Sequence, residues 1–272
     1  MATIQALNIY PVKSCRGIAL QSALVTPTGF QFDREWMIVG DDYRFITQRE
    51  EPRLALIETA IDARKLTLRA PGMQTSLSVA LDASGPNVQA LCWRDTCAAF
   101  DMGEPPAAWL SEYLGPRRRL VRFDPAFKRI SSPEWTGDVE SSSRFSDAFA
   151  WLVISQSSLD DLNARLAEAL PMNRFRPNIV LEGTDAYAED RIRELATQTV
   201  QWRLVKPCTR CAITTTDQAT GDRHSDEPLR TLKSYRFNRE LKGVLFGQNA
   251  ILLHGNGQTV RVGARLEIAW KE

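Results

Sequence analysis

The chain has 272 residues, of which 43% are hydrophobic and 25% are charged, and its formal net charge at pH 7 is +1. Such a chain can bury one large core or two smaller ones, and its near-neutral charge excludes a global attraction to nucleic acid or to an anionic membrane. No apolar run approaches the ~18 to 20 residues of a membrane-spanning helix, and the N-terminus lacks the residue order of a signal peptide, so we expect a cytoplasmic protein. Five cysteines, an odd number, fit reduced thiols better than a disulfide framework.

The first half of the chain is dominated by predicted short strands. They cover residues 4–10, 20–26, 36–39, 45–47, 54–60, 65–68, 77–81 and 88–93. Pro, Gly, Asp and Asn separate most of them, a spacing that is typical of a sheet folded into a barrel or sandwich. A helix is predicted over residues 107–114, because Pro105 and Pro106 precede it and Gly115 follows it.

The second half mixes strands with helices. Residues 124–147 are rich in Ser, Pro, Gly and charged residues with no regular period, so we interpret them as a candidate lid over a site. Ser157 and Asp160 form a capping box for a helix whose leucines continue to Leu170. Further strands are predicted at residues 120–123, 151–154, 178–181, 200–205 and 266–269, further helices at 187–197 and 228–236, and a hairpin over 250–262.

Residues 206–221, KPCTRCAITTTDQATG, contain the motif with the clearest chemical meaning. Two residues separate Cys208 from Cys211, and the β-branched run at 213–216 predicts that the second thiol lies where a tight turn enters a strand. A thiolate is the ligand that soft metals prefer, so Cys211 is a candidate metal-ligating or reactive cysteine. A single CxxC motif also fits half of a zinc site, a redox pair or two buried thiols.

Other chemistry-bearing residues are weaker candidates. Cys92 and Cys97 could complete a four-thiolate zinc site with the CxxC pair, but their spacing is wider than structural zinc sites use. His224 and His254 lie in predicted loops and are interpreted as solvated or turn residues, although His224 could reach the mouth of a cleft. Asp217 fits both a turn-former and a residue near a metal. No GxSxG, Walker or GxGxxG motif occurs in its required context.

Seven sequence blocks resemble the MOSC proteins, a family named after the C-terminal domain of molybdenum cofactor sulfurase. The blocks are YPVKSCRG (10–17), FDREWM (32–37), QREEPRL (48–54), FRPNIV (175–180), CTRCAITTTDQATG (208–221), EPLRTLKSYR (227–236) and LFGQN (245–249). They look most like the branch of the amidoxime-reducing component and its bacterial relatives. The resemblance implies an α+β, mostly β fold with a few peripheral helices, in which a MOSC N-terminal β-barrel-like domain (1–121) precedes a MOSC β-barrel domain (122–272). Residues 1–34 would pack with the C-terminal barrel, and the pterin molybdenum cofactor, Mo-molybdopterin, would lie in the cleft between the domains.

The same resemblance assigns the site residues. It implies that Cys211 is the molybdenum ligand and that Cys208 only lines the site. The implied cofactor-binding residues are Lys13, Ser14, Arg34, Asp147, Ala148, Phe149, Arg176, Thr209, Arg210 and Asn249, and the candidate catalytic residues are Cys211, Arg210 and Asp217. The residue types agree with this assignment, because four clustered cations would repel one another unless an anion such as the cofactor phosphate lay among them. Each cation taken alone would more often form a surface salt bridge, and only the coincidence of all four with motif blocks favours an anion site.

The function implied by the resemblance is an oxidoreductase that reduces N-hydroxylated compounds such as amidoximes, hydroxylamines and N-hydroxylated bases. Arg210 would stabilise charge on the departing oxygen. Some bacterial relatives carry a C-terminal iron–sulfur domain that this sequence lacks, so electrons would arrive from a separate donor protein of the iron–sulfur, flavin or cytochrome type. No nucleic-acid partner, membrane or membrane anchor is expected. Two alternatives are a cofactor carrier or sulfur-transfer module without its own turnover, and a structural barrel that has lost its cofactor.

Overall fold

The computed structural model describes residues 1–271 of the chain. The strands are β1 (Thr3–Ile9), β2 (Ile18–Leu20), β3 (Ser22–Thr26), β4 (Gly29–Phe30), β5 (Trp36–Val39), β6 (Glu58–Ile61), β7 (Lys65–Arg69), β8 (Leu77–Ala80), β9 (Asn87–Cys92), β10 (Asp95–Asp101), β11 (Arg119–Phe123), β12 (Trp151–Ser155), β13 (Ile179–Glu182), β14 (Ile192–Ala196), β15 (Gln201–Thr209), β16 (Phe237–Asn238), β17 (Gly243–His254), β18 (Thr259–Arg261) and β19 (Glu267–Trp270). The α-helices are α1 (Glu104–Leu114), α2 (Pro133–Thr136), α3 (Gln156–Asn163) and α4 (Leu229–Tyr235). This content confirms the α+β, mostly β class.

The largest sheet joins the two ends of the chain. Its strand order is β19-β14-β15-β17-β12-β13-β1-β2, and β16 pairs with β17 at one side. Strand β1 runs antiparallel to β13, with Leu7 opposite Ile179, and both side chains are buried in the core under this sheet. The N-terminal strands therefore complete a sheet that is otherwise built from the C-terminal half of the chain.

Main-chain hydrogen bonds connect the two ends of this large sheet through β1. Strands β19 and β2 are its two ends, and within residues 1–271 they are not paired with each other. The residues just before β19 bond instead to β1: the N–H of Ile4 donates to the Ala264 carbonyl and the N–H of Leu266 donates to the Ala2 carbonyl, both at 3.0 Å. The β-barrel that the resemblance implied stays a prediction.

Two smaller sheets make up the first half of the chain outside β1 to β4. One has the order β5-β11-β10-β9 and the other β6-β7-β8. Helix α1 packs against β11 and β8, and its Trp109 and Leu110 are buried in the same core as Leu66 and Leu68 of β7. In residues 1–271, no helix is both long enough and apolar enough to cross a membrane.

Two predictions of secondary structure are wrong because the structure of these residues depends on the strands with which they pair. Residues 187–197 were expected to be helical, but Ile192–Ala196 is β14, which hydrogen-bonds to β15 on one side and β19 on the other. The expected hairpin over 250–262 is absent because β17 runs unbroken to His254 and β18 pairs instead with β3.

Helix α3 is shorter than its leucine pattern indicated. Its cap is Ser155 and not Ser157, because the Ser155 side chain accepts a hydrogen bond from the N–H of Ser158. The helix ends at Asn163, whose side chain donates to the carbonyl oxygen of Leu170 and accepts from its N–H, at 3.0 and 2.9 Å. This pair of bonds closes residues 163–170 into a loop where the sequence pattern favoured more helix.

Candidate functional site

A cavity of about 730 Å³, counting its open mouth, lies among the N-terminal segment, residues 146–149 and the end of β15. It is lined by Lys13, Ser14, Arg34, Ser146, Asp147, Ala148, Phe149, Leu152, Phe175, Arg176, Asn178, Cys208, Thr209, Arg210, Cys211, Ile213 and Asn249. The structure thus brings together all ten residues that the resemblance assigned to cofactor binding, and both thiols of the CxxC motif.

Cys211 is held just beyond the end of β15. The N–H of Arg210 donates to the carbonyl oxygen of Val244 on β17, which extends the strand pairing by one residue. A 3₁₀ turn over Ala212–Thr215 follows, and Thr214 donates to the Cys211 carbonyl from its N–H at 3.0 Å and from its hydroxyl at 2.9 Å. The prediction of a strand at 213–216 is therefore wrong: the thiol lies where a strand ends in a 3₁₀ turn.

Two arginines enclose the ring of Tyr10. The guanidinium carbons of Arg34 and Arg176 lie 4.3 and 4.2 Å from the ring centroid, within the range of cation–π attraction. Arg34 is neutralised by Asp33 at 2.6 Å and also donates to Asn178 at 3.0 Å. We call this group, Arg34, Tyr10 and Arg176, the arginine–tyrosine stack.

Arg176 differs from Arg34 in having no anion beside it. In the described residues its guanidinium forms no ion pair and no hydrogen bond, although the residue is only 9% exposed, and burial lowers its pKa to about 10. Ser14, Arg34 and Arg176 all have positive φ angles, of 67°, 48° and 57°. Such left-handed backbone costs free energy and is found where a site must hold a side chain in place.

Lys13 and Asp147 form an ion pair at the cavity wall. The ammonium lies 2.5 Å from the Asp147 carboxylate and also donates to the carbonyl of Phe145 at 2.8 Å. The surrounding protein displaces part of the water around Asp147, which would raise its pKa, but the charge of Lys13, with a hydrogen bond from the Trp93 indole, outweighs this effect and holds that pKa well below its usual range. Asp147 is therefore ionised at neutral pH.

A buried arginine fixes the segment that carries Asp147. Arg129, 7% exposed, donates to the carbonyl oxygens of Arg144 at 2.9 Å, Ser146 at 2.5 Å and Asp147 at 3.2 Å, and pairs with Asp95 at 2.7 Å. The end of the candidate lid at 124–147 is thus tied to the β9–β10 turn.

The guanidinium of Arg210 contacts the sulfur of Cys208, the first cysteine of the CxxC motif. Its Nη1 donates to the Cys208 sulfur at 2.9 Å and its Nη2 donates to the Phe175 carbonyl at 2.8 Å, while its Nε is buried without a partner. Burial raises the pKa of the Cys208 thiol, which the charge of Arg210 opposes only in part. Cys208 therefore stays protonated at neutral pH.

A contact that sequence reasoning missed involves Arg49. Its Nη2 lies 3.1 Å from the Cys211 sulfur, and its guanidinium lies over the indole of Trp93 at 4.3 Å. Arg49 belongs to the block QREEPRL, which carried part of the family resemblance, so the signal was present. A single sequence gave no reason to bring residue 49 to residue 211.

Other sequence candidates lie outside the cavity lining. Asp217 accepts from the N–H groups of Ala219 and Thr220 at 2.7 and 3.1 Å, and from Arg174 at 3.0 Å, so it shapes the turn after the cysteine motif. The side chain of His224 is 85% exposed. In residues 1–271, no group of three or more His, Cys, Asp or Glu side chains is placed to hold a metal ion, so no four-thiolate zinc site is formed.

Two family models together match most of this chain. The MOSC N-terminal beta barrel domain matches residues 1–117, and the MOSC domain matches residues 140–267. The chain is 37% identical over 284 residues to human mitochondrial amidoxime-reducing component 1, covering 97% of this chain and 82% of that protein. It is 36% identical over 275 residues to the mouse protein of the same name, covering 97% and 81%, and 33% identical over 267 residues to rice molybdenum cofactor sulfurase, covering 90% and 32%. The chain belongs to the MOSC family.

Proposed function

We propose that this protein is a molybdenum-cofactor-dependent oxidoreductase that reduces N-hydroxylated compounds. The observation that carries the proposal is the unpaired, buried guanidinium of Arg176 in the same cavity as the partly exposed thiol of Cys211. The similarity to proteins named amidoxime-reducing component supports the reaction class.

The charges of the cavity fit an anionic cofactor. Asp147 and Asp33 neutralise Lys13 and Arg34, whereas Arg176 and Arg210 have no carboxylate partner in the described residues. A buried cation without a counter-charge is costly, and a guanidinium is well shaped to bind phosphate oxygens. The phosphate of the pterin cofactor would supply the missing negative charge, and Cys211 would supply the soft ligand that the metal needs.

Four residues of the cavity would have distinct roles in this reaction. Arg176 and the Arg34 that faces it across Tyr10 would bind the phosphate, and Cys211 would hold the metal. The bound cofactor would supply the two electrons that cleave the N–O bond. Arg210 lines the cavity, so its positive charge would stabilise negative charge on the departing oxygen. The electrons would come from a separate iron–sulfur, flavin or cytochrome protein.

The second candidate is a cofactor carrier or sulfur-transfer module without its own turnover. The similarity to a molybdenum cofactor sulfurase favours it, because the match covers 90% of this chain. It would use the same phosphate contacts, and the accessible Cys211 thiol would accept a sulfane sulfur from the persulfide of a donor protein, whose thiol is released, and hold that sulfur as its own persulfide.

One experiment separates the two candidates. The protein is purified from a host that makes the cofactor, its molybdenum content is measured, and it is mixed with benzamidoxime and reduced methyl viologen. Bound molybdenum with formation of benzamidine supports the reductase. Bound molybdenum without benzamidine, tested also with a hydroxylamine, favours the carrier, and protein without molybdenum contradicts both the reductase and the cofactor carrier.

A further inference from the structure

Arg49 contacts the sulfur of Cys211 from outside the cavity. Its Nη2 lies 3.1 Å from the sulfur, yet the cavity is lined by Cys211 and not by Arg49. A guanidinium in this position leaves the cavity side of the sulfur free for a metal.

The backbone that carries Arg49 is held from the C-terminal half of the chain. Arg223 donates to the carbonyl oxygens of Gln48 and Arg49, the latter at 3.0 Å. The side-chain amides of Gln48 and Gln218 donate to each other at 3.1 and 2.9 Å, and Gln48 also donates to the Ser14 carbonyl at 2.7 Å. Gln48 is fully buried and Gln218 is 6% exposed, so water does not compete strongly for these bonds.

The side chain of Arg49 is fixed as well. Its guanidinium stacks on the Trp93 ring at 4.3 Å, and Trp93 is fixed by Phe45, at a ring distance of 5.2 Å, and by a hydrogen bond to Asp147 at 3.2 Å. Trp93 lies in the β9–β10 turn with a φ of 62°, a conformation that is rare for a bulky residue. In the described residues Arg49 forms no ion pair with a carboxylate, and its guanidinium donates to the Cys211 sulfur.

A sulfur can bind a metal and accept a hydrogen bond at the same time. A thiolate keeps lone pairs after it has bound one metal ion, and donors to ligating sulfurs are a known means of tuning reduction potential. Such donors withdraw electron density from the sulfur, which stabilises the more electron-rich, reduced state of the metal. A donor held as rigidly as Arg49 would exert this effect without any rearrangement.

We propose that Arg49 is a positioning residue that donates a hydrogen bond to the Cys211 sulfur while this sulfur holds the molybdenum, and that it thereby raises the reduction potential of the metal. The inference rests on the proposed function. Arg49 acts only through the sulfur and does not touch the substrate.

The test compares three variants with the wild type. Arg49→Gln removes the charge, Arg49→Lys keeps the charge but loses the planar fork, and Arg53→Gln is the matched control. Arg53 lies on the same segment, stacks on Tyr113 at 5.8 Å and pairs with Glu51 at 2.8 Å, and it touches neither cysteine. Each protein is analysed for molybdenum content, for reduction potential by redox titration followed by electron paramagnetic resonance, and for kcat and KM.

We expect Arg49→Gln to retain molybdenum, because the phosphate contacts are intact, and to show a more negative reduction potential. Its kcat should fall about 10- to 100-fold with little change in KM, the usual range for outer-shell substitutions at metal sites. The reduction potential and kcat of Arg49→Lys should lie between those of Arg49→Gln and wild type. Arg53→Gln should have the reduction potential and kcat of wild type.

Two results would overturn the inference, and they differ from a failure of the proposed function. An unchanged potential in metal-loaded Arg49→Gln shows that the contact does not tune the metal. If Arg49→Gln cannot be loaded, Arg49→Lys decides in its place, and a wild-type potential there overturns the inference. A wild-type protein that carries no molybdenum from a competent host instead removes the proposed function, and the inference with it.

Discussion

Cys211 and Cys208 lie three residues apart, and different arginines contact their sulfurs. Arg49 contacts Cys211 at 3.1 Å, and Arg210 contacts Cys208 at 2.9 Å. Burial raises the pKa of the Cys208 thiol, which disfavours the thiolate form that a metal needs, and the resemblance assigns the ligand role to Cys211.

We therefore expect Cys211→Ala to abolish molybdenum binding and reductase activity, and Cys208→Ala to retain most of both. Metal analysis and benzamidoxime reduction measure these two outcomes. Equal losses in the two variants would point to a redox pair of cysteines, or to a shared metal site, and would contradict a single-ligand assignment.

The Lys13–Asp147 pair makes a pH-dependent contribution to stability. The pKa of Asp147 is lower in the folded chain than the ~3.9 of an unfolded aspartate, so the pair stabilises the fold above pH ~4 and loses this effect as the pH falls further. Because the Asp147 side chain is 61% accessible, we expect a contribution of only about 1 kcal/mol at pH 7.

Denaturant unfolding of Asp147→Asn at several pH values tests this contribution. The free-energy difference from wild type should be present at pH 7 and should shrink as the pH drops below about 4. Asp138→Asn, which alters an exposed aspartate of the same segment, should show no such trend. A difference that grows toward acid would show that Asp147 is not held ionised.

The backbone conformation at the end of the 124–147 segment depends on Arg129. Its guanidinium donates hydrogen bonds to three backbone carbonyl oxygens in one short stretch, those of Arg144, Ser146 and Asp147. Charge-assisted hydrogen bonds of this kind contribute about 1.5 to 3 kcal/mol each.

Arg129→Met should therefore lower the free energy of unfolding by several kcal/mol and expose residues 124–147 to protease, while the large sheet stays folded. Limited proteolysis with mass spectrometry locates the cuts, and Lys128→Met, which removes an exposed neighbour paired with Glu140, serves as control. Equal protease resistance of the two variants would argue against this role of Arg129.

The sequence predicted those elements best that need no distant partner. The apolar run Trp36–Val39 forms β5 with the predicted bounds, since all four of its residues are buried. Residues 192–196 were misjudged because their strand conformation depends on β19, which lies far away in the chain, as well as on the nearby β15. Residues 259–261 form the predicted strand, but they pair with the distant β3 and not with residues 250–253. Likewise, the resemblance named ten residues that line the cavity, seven of them within its sequence blocks, but the contact between Arg49 and Cys211 spans 162 residues and leaves no local pattern.

The whole molecule is joined by β1 and β2. Ile4 and Leu7 of β1 are fully buried against strands of the C-terminal half, and fully burying such side chains contributes about 1.5 to 3 kcal/mol each. The same N-terminal segment delivers Lys13 and Arg34 to the cavity.

A chain that begins at residue 122 should consequently fail to melt cooperatively and should not retain molybdenum. Thermal melts and metal analysis test both points. Co-expression with residues 1–121 as a separate chain is the control, and it should restore both properties at least in part. A fragment 122–272 that folds and binds the cofactor as tightly as the whole chain would show that the N-terminal strands are dispensable.

The arginine–tyrosine stack also affects the stability of the cofactor-free protein. Arg34 has its own aspartate, but the charge of Arg176 is left uncompensated in a buried place, so the empty fold carries an electrostatic penalty that an anion would remove. By linkage, an anion that binds only the folded chain raises its stability by RT ln(1 + [L]/Kd).

Inorganic phosphate should therefore raise the melting temperature of the cofactor-free protein in proportion to the logarithm of its concentration. Arg176→Gln should lose this response, and Arg191→Gln, which alters an exposed arginine over Trp270, should keep it. A wild-type response no larger than that of Arg176→Gln would mean that the stack binds no anion. If phosphate raises the melting temperature in this way, the cofactor-free protein is the form that unfolds most readily. A shortage of cofactor would then shorten the lifetime of the chain itself.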